Sequence, residues 1–139
     1  LKINNSCMLQ PHNVGLYYTG DIVTMDENHF IMIEGRAKRF AKIGGEMVSL
    51  VAVESAIKSL WPEYEHAVIA ISDPKKGEAL VLITEHSTPD KKALSQHFKK
   101  MGLTELQMPR EIVSINKLPV LGTGKVDYVG LAAFIAARQ

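Results

Sequence analysis

Apolar and polar residues change period along the chain, and each change marks an element. Ala67-Val-Ile-Ala-Ile71 and Ala79-Leu-Val-Leu-Ile-Thr84 are short apolar runs, which predicts strands buried on both faces. Ser72-Asp-Pro-Lys-Lys-Gly77 lies between them with strong turn chemistry, so the two strands are expected to pair antiparallel. Leu50 to Leu60 reads as a helix with Val51, Val53, Ile57 and Leu60 on its apolar side. Ser49 is its expected cap, and Pro62 lies just past its end. Thr88-Pro-Asp90 opens a second helix that runs to about Met101, with Leu94, His97, Phe98 and Met101 on one face. Pro109 to Ile115 predicts a further strand, and Tyr128 to Ala137 a last helix after the loop 116–127.

Upstream, Val14 to Tyr18, Asp21 to Met25 and Phe30 to Ile33 read as β-structure, with a turn at Asp26-Glu-Asn28. Arg36-Ala-Lys-Arg39 has neither a strand nor a helix signature and reads as a connector or hinge. Phe40 to Ile43 and Glu46 to Ser49 are short strand candidates around Gly44-Gly45. Strands and helices are mixed, and the short central loop rules out a purely parallel sheet. The expected fold class is α+β: a small three-stranded sheet packed with helices, preceded by a β-hairpin region.

At 139 residues the chain is long enough to bury a core without disulfides or metals. Apolar residues make up 46% and charged residues 22%, a globular balance that argues against disorder. The net charge of +1 is spread along the chain, and no basic block marks a nucleic-acid partner. Lys91, Lys92, Lys99 and Lys100 fall at helical spacing and read as a solvated face. The single Cys7 excludes a disulfide within the chain and points to a reducing compartment. The five histidines show no paired metal-ligand spacing. No signal peptide or membrane-spanning run is evident. The chain opens Leu-Lys-Ile without an initiator Met, as expected of a processed product or a piece of a longer protein.

Three segments could carry chemistry. Leu118-Pro-Val-Leu-Gly-Thr-Gly-Lys-Val126 places Lys125 in a glycine-rich loop. The nucleotide-triphosphatase loop pattern needs Gly where Pro119 stands and Ser or Thr where Val126 stands, so this is a different device. It reads as a mobile loop presenting a lysine that can steady charge on a carboxylate and a phosphate together. Tyr17-Tyr-Thr-Gly-Asp21 sets a short carboxylate at a tight turn, as ribose hydroxyls require. Gly35-Arg-Ala-Lys-Arg-Phe-Ala-Lys42, followed by Gly44-Gly45-Glu46, offers an arginine for phosphate and a glycine pair for close approach. Each segment alone is better explained by an ordinary turn or a solvated connector.

Together and in this order they resemble the consecutive C-terminal motifs of the acyl-CoA synthetase, luciferase and nonribosomal-peptide adenylation superfamily. Tyr17 to Asp21 is similar to its aromatic-x-Thr-Gly-Asp motif. Gly35-Arg36, Lys42, Gly44-Gly45 and Glu54 are similar to its hinge motif, and Pro119 to Lys125 to its C-terminal lysine motif. The resemblance covers about residues 14 to 127. Gly-Thr-Gly-Lys followed by Asp127 and an aromatic is most similar to one branch, the bacterial bifunctional acyl-(acyl-carrier-protein) synthetase/2-acylglycerophosphoethanolamine acyltransferases.

The resemblance implies a small lid closing over a large N-terminal domain of the same polypeptide, which holds most of the ATP and Mg2+ contacts. Residues 1–37 would be the tail of that large domain and residues 38–139 the lid. A fatty acid would first be joined to AMP, then passed to a thiol of coenzyme A or of a carrier-protein phosphopantetheine. By position, Asp21 would bind the ribose hydroxyls, Arg36 the nucleotide, and Lys125 the carboxylate and α-phosphate oxygens. Lys38 would be the hinge, and Lys42, Gly44, Gly45 and Glu46 the thioester-step loop. The full-length protein would sit at the cytoplasmic face of the bacterial inner membrane. Two positions depart from the pattern: Lys38 where the family commonly has Asp, and Tyr128 where it often has Arg. The alternatives are the lid of a fatty acyl-CoA synthetase and a non-catalytic module that docks a carrier protein.

Overall fold

The computed structural model describes residues 2–3 and 20–138. The expected strand Val14 to Tyr18, Cys7 and the first three residues of the motif Tyr17 to Asp21 lie outside the described residues. The chain divides into two compact units, Leu1–Phe40 and Ala41–Gln139.

The first unit is an antiparallel sheet of β1 (Lys2–Ile3), β2 (Asp21–Met25) and β3 (Ile31–Arg36), in that spatial order. The turn between β2 and β3 is built by Asp26, whose Oδ1 accepts from Asn28 N at 2.9 Å and Phe30 N at 3.0 Å. Phe30, just before β3, and Ile31, Met32 and Ile33 on it are 61–74% exposed. A run of four exposed apolar residues at a sheet edge is a surface that needs a cover.

The second unit begins within β4 (Phe40–Ile43), at Ala41, and contains β5 (Glu46–Ser49), α1 (Leu50–Leu60), β6 (His66–Asp73), β7 (Gly77–Thr84), α2 (Lys91–Lys100), β8 (Glu111–Ser114) and α3 (Tyr128–Arg138). The fold class is α+β, as the sequence pattern predicts. β6 and β7 pair antiparallel from His66↔Thr84 to Asp73↔Gly77. β8 joins β7 in parallel, and β4 pairs with the start of β7, so the expected three-stranded sheet grows to five strands in the order β5-β4-β7-β6 with β8 on β7.

Side-chain alternation sorts the core into two layers. Val68, Leu80 and Leu82 face Val53, Ile57, Leu94 and Phe98 of α1 and α2. Ala67, Ile69, Val81 and Ile83 face Leu131 and Ile135 of α3. The central strands are therefore buried on both faces, which is why they read as unbroken apolar runs. Ser49 Oγ caps α1 through Ala52 N at 3.2 Å, and Asp90 Oδ1 caps α2 through Lys92 N at 2.8 Å.

Two expected core residues face water. Val51 is 52% exposed, because the buried stripe of α1 starts at Leu50 and continues through Val53, Ala56 and Ile57. Met101 is 50% exposed because it follows the last turn of α2, whose buried residues are Leu94 and Phe98.

His66 is a buried polar residue at the start of β6. Its Nε2 lies 2.9 Å from the Trp61 carbonyl and its Nδ1 lies 2.8 Å from Thr84 Oγ1. A carbonyl can only accept, so Nε2 carries the proton and the Thr84 hydroxyl donates to Nδ1. Burial is the main cause that holds the imidazole below its ordinary value of 6.5, against a smaller opposing effect of the Trp61 carbonyl. The folded state thus binds fewer protons at this site than the unfolded chain. Its stability contribution is complete above the unfolded value and is lost as pH falls toward the folded one. We expect the melting temperature to hold above pH 6.5 and decline below it, and His66→Gln to flatten that slope. An unchanged slope in thermal melts of His66→Gln would remove His66 as the cause. Asp73 is also held low, by the Lys76 and Lys75 backbone N–H groups, but it acts below 3.8, outside this window.

Candidate active-site surfaces

Two predicted nucleotide residues meet in the first unit. Asp21 and Arg36 are register partners on β2 and β3, and Arg36 Nε lies 3.1 Å from Asp21 Oδ1. The arginine side chain is 68% exposed, so the pair orients its members more than it stabilises the sheet. Lys38 is exposed on the single turn Ala37–Arg39 that precedes β4.

The thioester-step candidates form the β4–β5 turn. Gly44 has φ 58° and Gly45 φ 84°, the two successive left-handed residues that a tight hairpin turn demands. Gly44 N donates to the Lys76 carbonyl at 2.9 Å, and Lys42 N donates to Glu78 Oε2 at 2.5 Å. These bonds strap the turn to the first residues of β7, with Ile43 opposite Gly77. Lys42, Gly44, Gly45 and Glu46 are all exposed. Backbone conformation alone accounts for both glycines, and no atom lies within 4 Å of a Cβ built on Gly45, so its front is open.

Lys125 directly follows the turn of a short hairpin, on its returning arm. Val120 bridges Val126, Leu121 N donates to the Lys125 carbonyl at 2.7 Å, and Gly124 N donates to the Leu121 carbonyl at 2.8 Å. Gly124 makes the turn possible with φ 83°. The foot is fixed on both sides. Leu118 is buried and its N–H donates to Glu85 Oε1 at 2.8 Å, while Asp127 N donates to the Pro119 carbonyl at 2.9 Å. Lys125 is exposed, and no ion pair or hydrogen bond holds its ammonium among the described residues.

The two loops leave opposite ends of one strand. The glycine turn is anchored at Gly77 and Glu78, and the Lys125 hairpin beside Thr84 and Glu85. Seven residue steps at roughly 3.4 Å each put the two anchors about 24 Å apart.

Sequence reasoning assigned no local role to Glu54 or Tyr128. Glu54 Oε1 accepts from Val68 N at 2.8 Å and from the Tyr128 hydroxyl at 3.0 Å. The clue was an acid set beside the apolar stripe of α1, next to Val53. Tyr128 is therefore a hydrogen-bond donor to Glu54.

No protein-family model matches the chain. It is 34% identical over 113 residues to a long-chain-fatty-acid–CoA ligase of Thermus thermophilus, covering 80% of this chain and 21% of that protein. It is 30% identical over 116 residues to a vibriobactin-specific 2,3-dihydroxybenzoate-AMP ligase of Vibrio cholerae, covering 81% of this chain and 21% of that protein. Among solved structures, ATP-bound MatB from Rhodopseudomonas palustris aligns with a TM-score of 0.69 at 26% identity, over 88% of this chain and 25% of that one. The architecture is thus that of the C-terminal domain of adenylate-forming enzymes. Relatives and structural neighbours together show an AMP-binding/acyl-CoA synthetase superfamily C-terminal domain. The chain spans about a fifth of the length of the relatives it matches, 21% in both cases above.

Proposed function

We propose that this chain is the moving C-terminal part of an ATP-dependent acid–thiol ligase, and that it serves two half-reactions with its two ends. The observation that carries this is the placement of the glycine turn and the Lys125 hairpin at opposite ends of β7. One rigid domain cannot bring both to one reacting centre at once, so it must turn between the steps. In the first, Lys125 bridges the acid carboxylate and the α-phosphate while Asp21 and Arg36 hold the nucleotide. In the second, Lys42, Gly44, Gly45 and Glu46 face the incoming thiol, and Lys38 absorbs the rotation. Residues 1–37 belong with the large domain on this reading; the uncovered apolar stretch Phe30 to Ile33 supports it. Mg2+, expected with ATP, goes with the large domain on the same reading.

Relatives at similar identity are named for different acids, so the acid is chosen outside this chain. A fatty acid with coenzyme A as acceptor is the first reading, favoured by the long-chain relative. The finer reading is an acyl-(acyl-carrier-protein) synthetase joined to a 2-acylglycerophosphoethanolamine acyltransferase at the inner membrane. It rests on the wording of Gly122 to Tyr128. Supplying the complete polypeptide with coenzyme A or acyl carrier protein separates the two. Among the described residues no helix is long and apolar enough to cross a membrane.

The 139-residue chain alone is expected to show no acid-dependent exchange of pyrophosphate into ATP, because on this reading the phosphate-binding loop and the acyl pocket belong to the large domain. Exchange by the isolated chain would overturn the division of labour.

A further inference from the structure

We infer that Tyr128 is a positioning residue for Lys125, acting through Glu54. The inference rests on the adenylation role proposed for Lys125 and adds the element that aims it. Tyr128 is the first residue of α3 and lies three positions beyond the lysine. Its N–H donates to the Val126 carbonyl at 3.1 Å, on the returning arm of the hairpin. Its hydroxyl reaches both Glu54 oxygens, at 3.0 and 3.2 Å. Glu54 in turn accepts from the Val68 amide at 2.8 Å, so the carboxylate is fixed by α1 and β6 before the tyrosine arrives. Asp127 completes the foot: its Oδ1 accepts from Gly130 N at 2.9 Å and its N–H donates to the Pro119 carbonyl at 2.9 Å.

The result is a brace between the foot of the hairpin and the rigid α1–β6 layer. Leu118 and its bond to Glu85 fix the outgoing arm, and Tyr128 fixes the returning one. A hairpin clamped at one arm can still swing, whereas one clamped at both presents its tip in a single direction. A long side chain such as Lys125 is ordered only as well as the backbone that carries it, and misplacement by about 1 Å is costly in a reacting geometry. Loss of the hydroxyl's hydrogen bond to the carboxylate is expected to raise local opening roughly tenfold. Replacement by arginine preserves the link as an ion pair with Glu54.

Hydrogen exchange on the 139-residue chain tests the brace without reference to any activity. In Tyr128→Phe, the peptide spanning Pro119 to Asp127 is expected to exchange about tenfold faster, while peptides from β6 and β7 keep their protection, and Tyr128→Arg restores the slow rate. In the complete polypeptide, Tyr128→Phe is expected to lower kcat for adenylate formation about tenfold and to leave thioester formation from preformed acyl adenylate unchanged. Unchanged exchange in the hairpin, or equal loosening of hairpin and core, overturns the inference. So does an equal fall in both half-reactions. The Lys125→Ala variant run alongside separates the two claims. If it spares adenylation, the functional reading has failed; if it abolishes adenylation and Tyr128→Phe has no effect, only the brace has failed.

Discussion

Lys125→Ala in the complete polypeptide is expected to lower the rate of adenylate formation by about 10²–10³-fold, read as acid-dependent pyrophosphate exchange. A preorganised cation aimed at developing charge acts where water is excluded, so its removal is felt in kcat more than in binding. The structure shows why this lysine suits the task. Its backbone is held in a hydrogen-bonded hairpin whose feet are tied to Glu85 and Glu54, and its ammonium is exposed and uncommitted among the described residues. No buried contact is lost on truncation, so the melting temperature of the chain should stay unchanged. A variant that exchanges pyrophosphate at the wild-type rate would leave the hairpin without a catalytic purpose.

The complementary variant is Gly45→Ala, expected to slow thioester formation by roughly 10- to 100-fold while adenylation is retained. At φ 84° an alanine is strained, and such strain costs about 1–2 kcal/mol if the turn is kept. The turn can relieve it by shifting about Lys42, Ile43 and Gly44, which are held against Glu78, Gly77 and Lys76. Either response puts a methyl group into space that is open in front of Gly45. A thiol carried on a long, narrow arm must pass close to backbone, and there a single Cβ is enough to obstruct it. The measurement is the single-turnover rate of thioester formation from preformed adenylate. Equal slowing of both half-reactions would show that the turn matters to folding, not to the second step.

These expectations depend on features that differed in how openly the sequence carried them. β6 and β7 were legible as unbroken apolar runs of strands buried on both faces, and α1 and α2 by their three-to-four spacing. The attachment of the β4–β5 hairpin to β7 was not legible. It rests on the Ile43↔Gly77 register, the Gly44 N bond to the Lys76 carbonyl and the Lys42 N bond to Glu78, and none of these leaves a local pattern. Val51 and Met101 misled because an apolar residue near a helix face carries no mark of which side of the boundary it occupies. The residues of the candidate surfaces were visible as motifs, while their arrangement was not. Glu54 and Tyr128 are separated by 74 positions, so the bond between them could not be read from spacing. The separation of the two loops along β7 likewise appears only once the register of the sheet is known.

The central claim is that one small domain serves two steps with two different ends. Its most direct test is the rate at which Lys125→Ala, in the complete polypeptide, forms thioester from chemically prepared acyl adenylate. The account predicts a rate close to wild type beside a nearly abolished first half-reaction. A thioester rate that falls in step with adenylation would place both chemistries at the same end of the domain and contradict it.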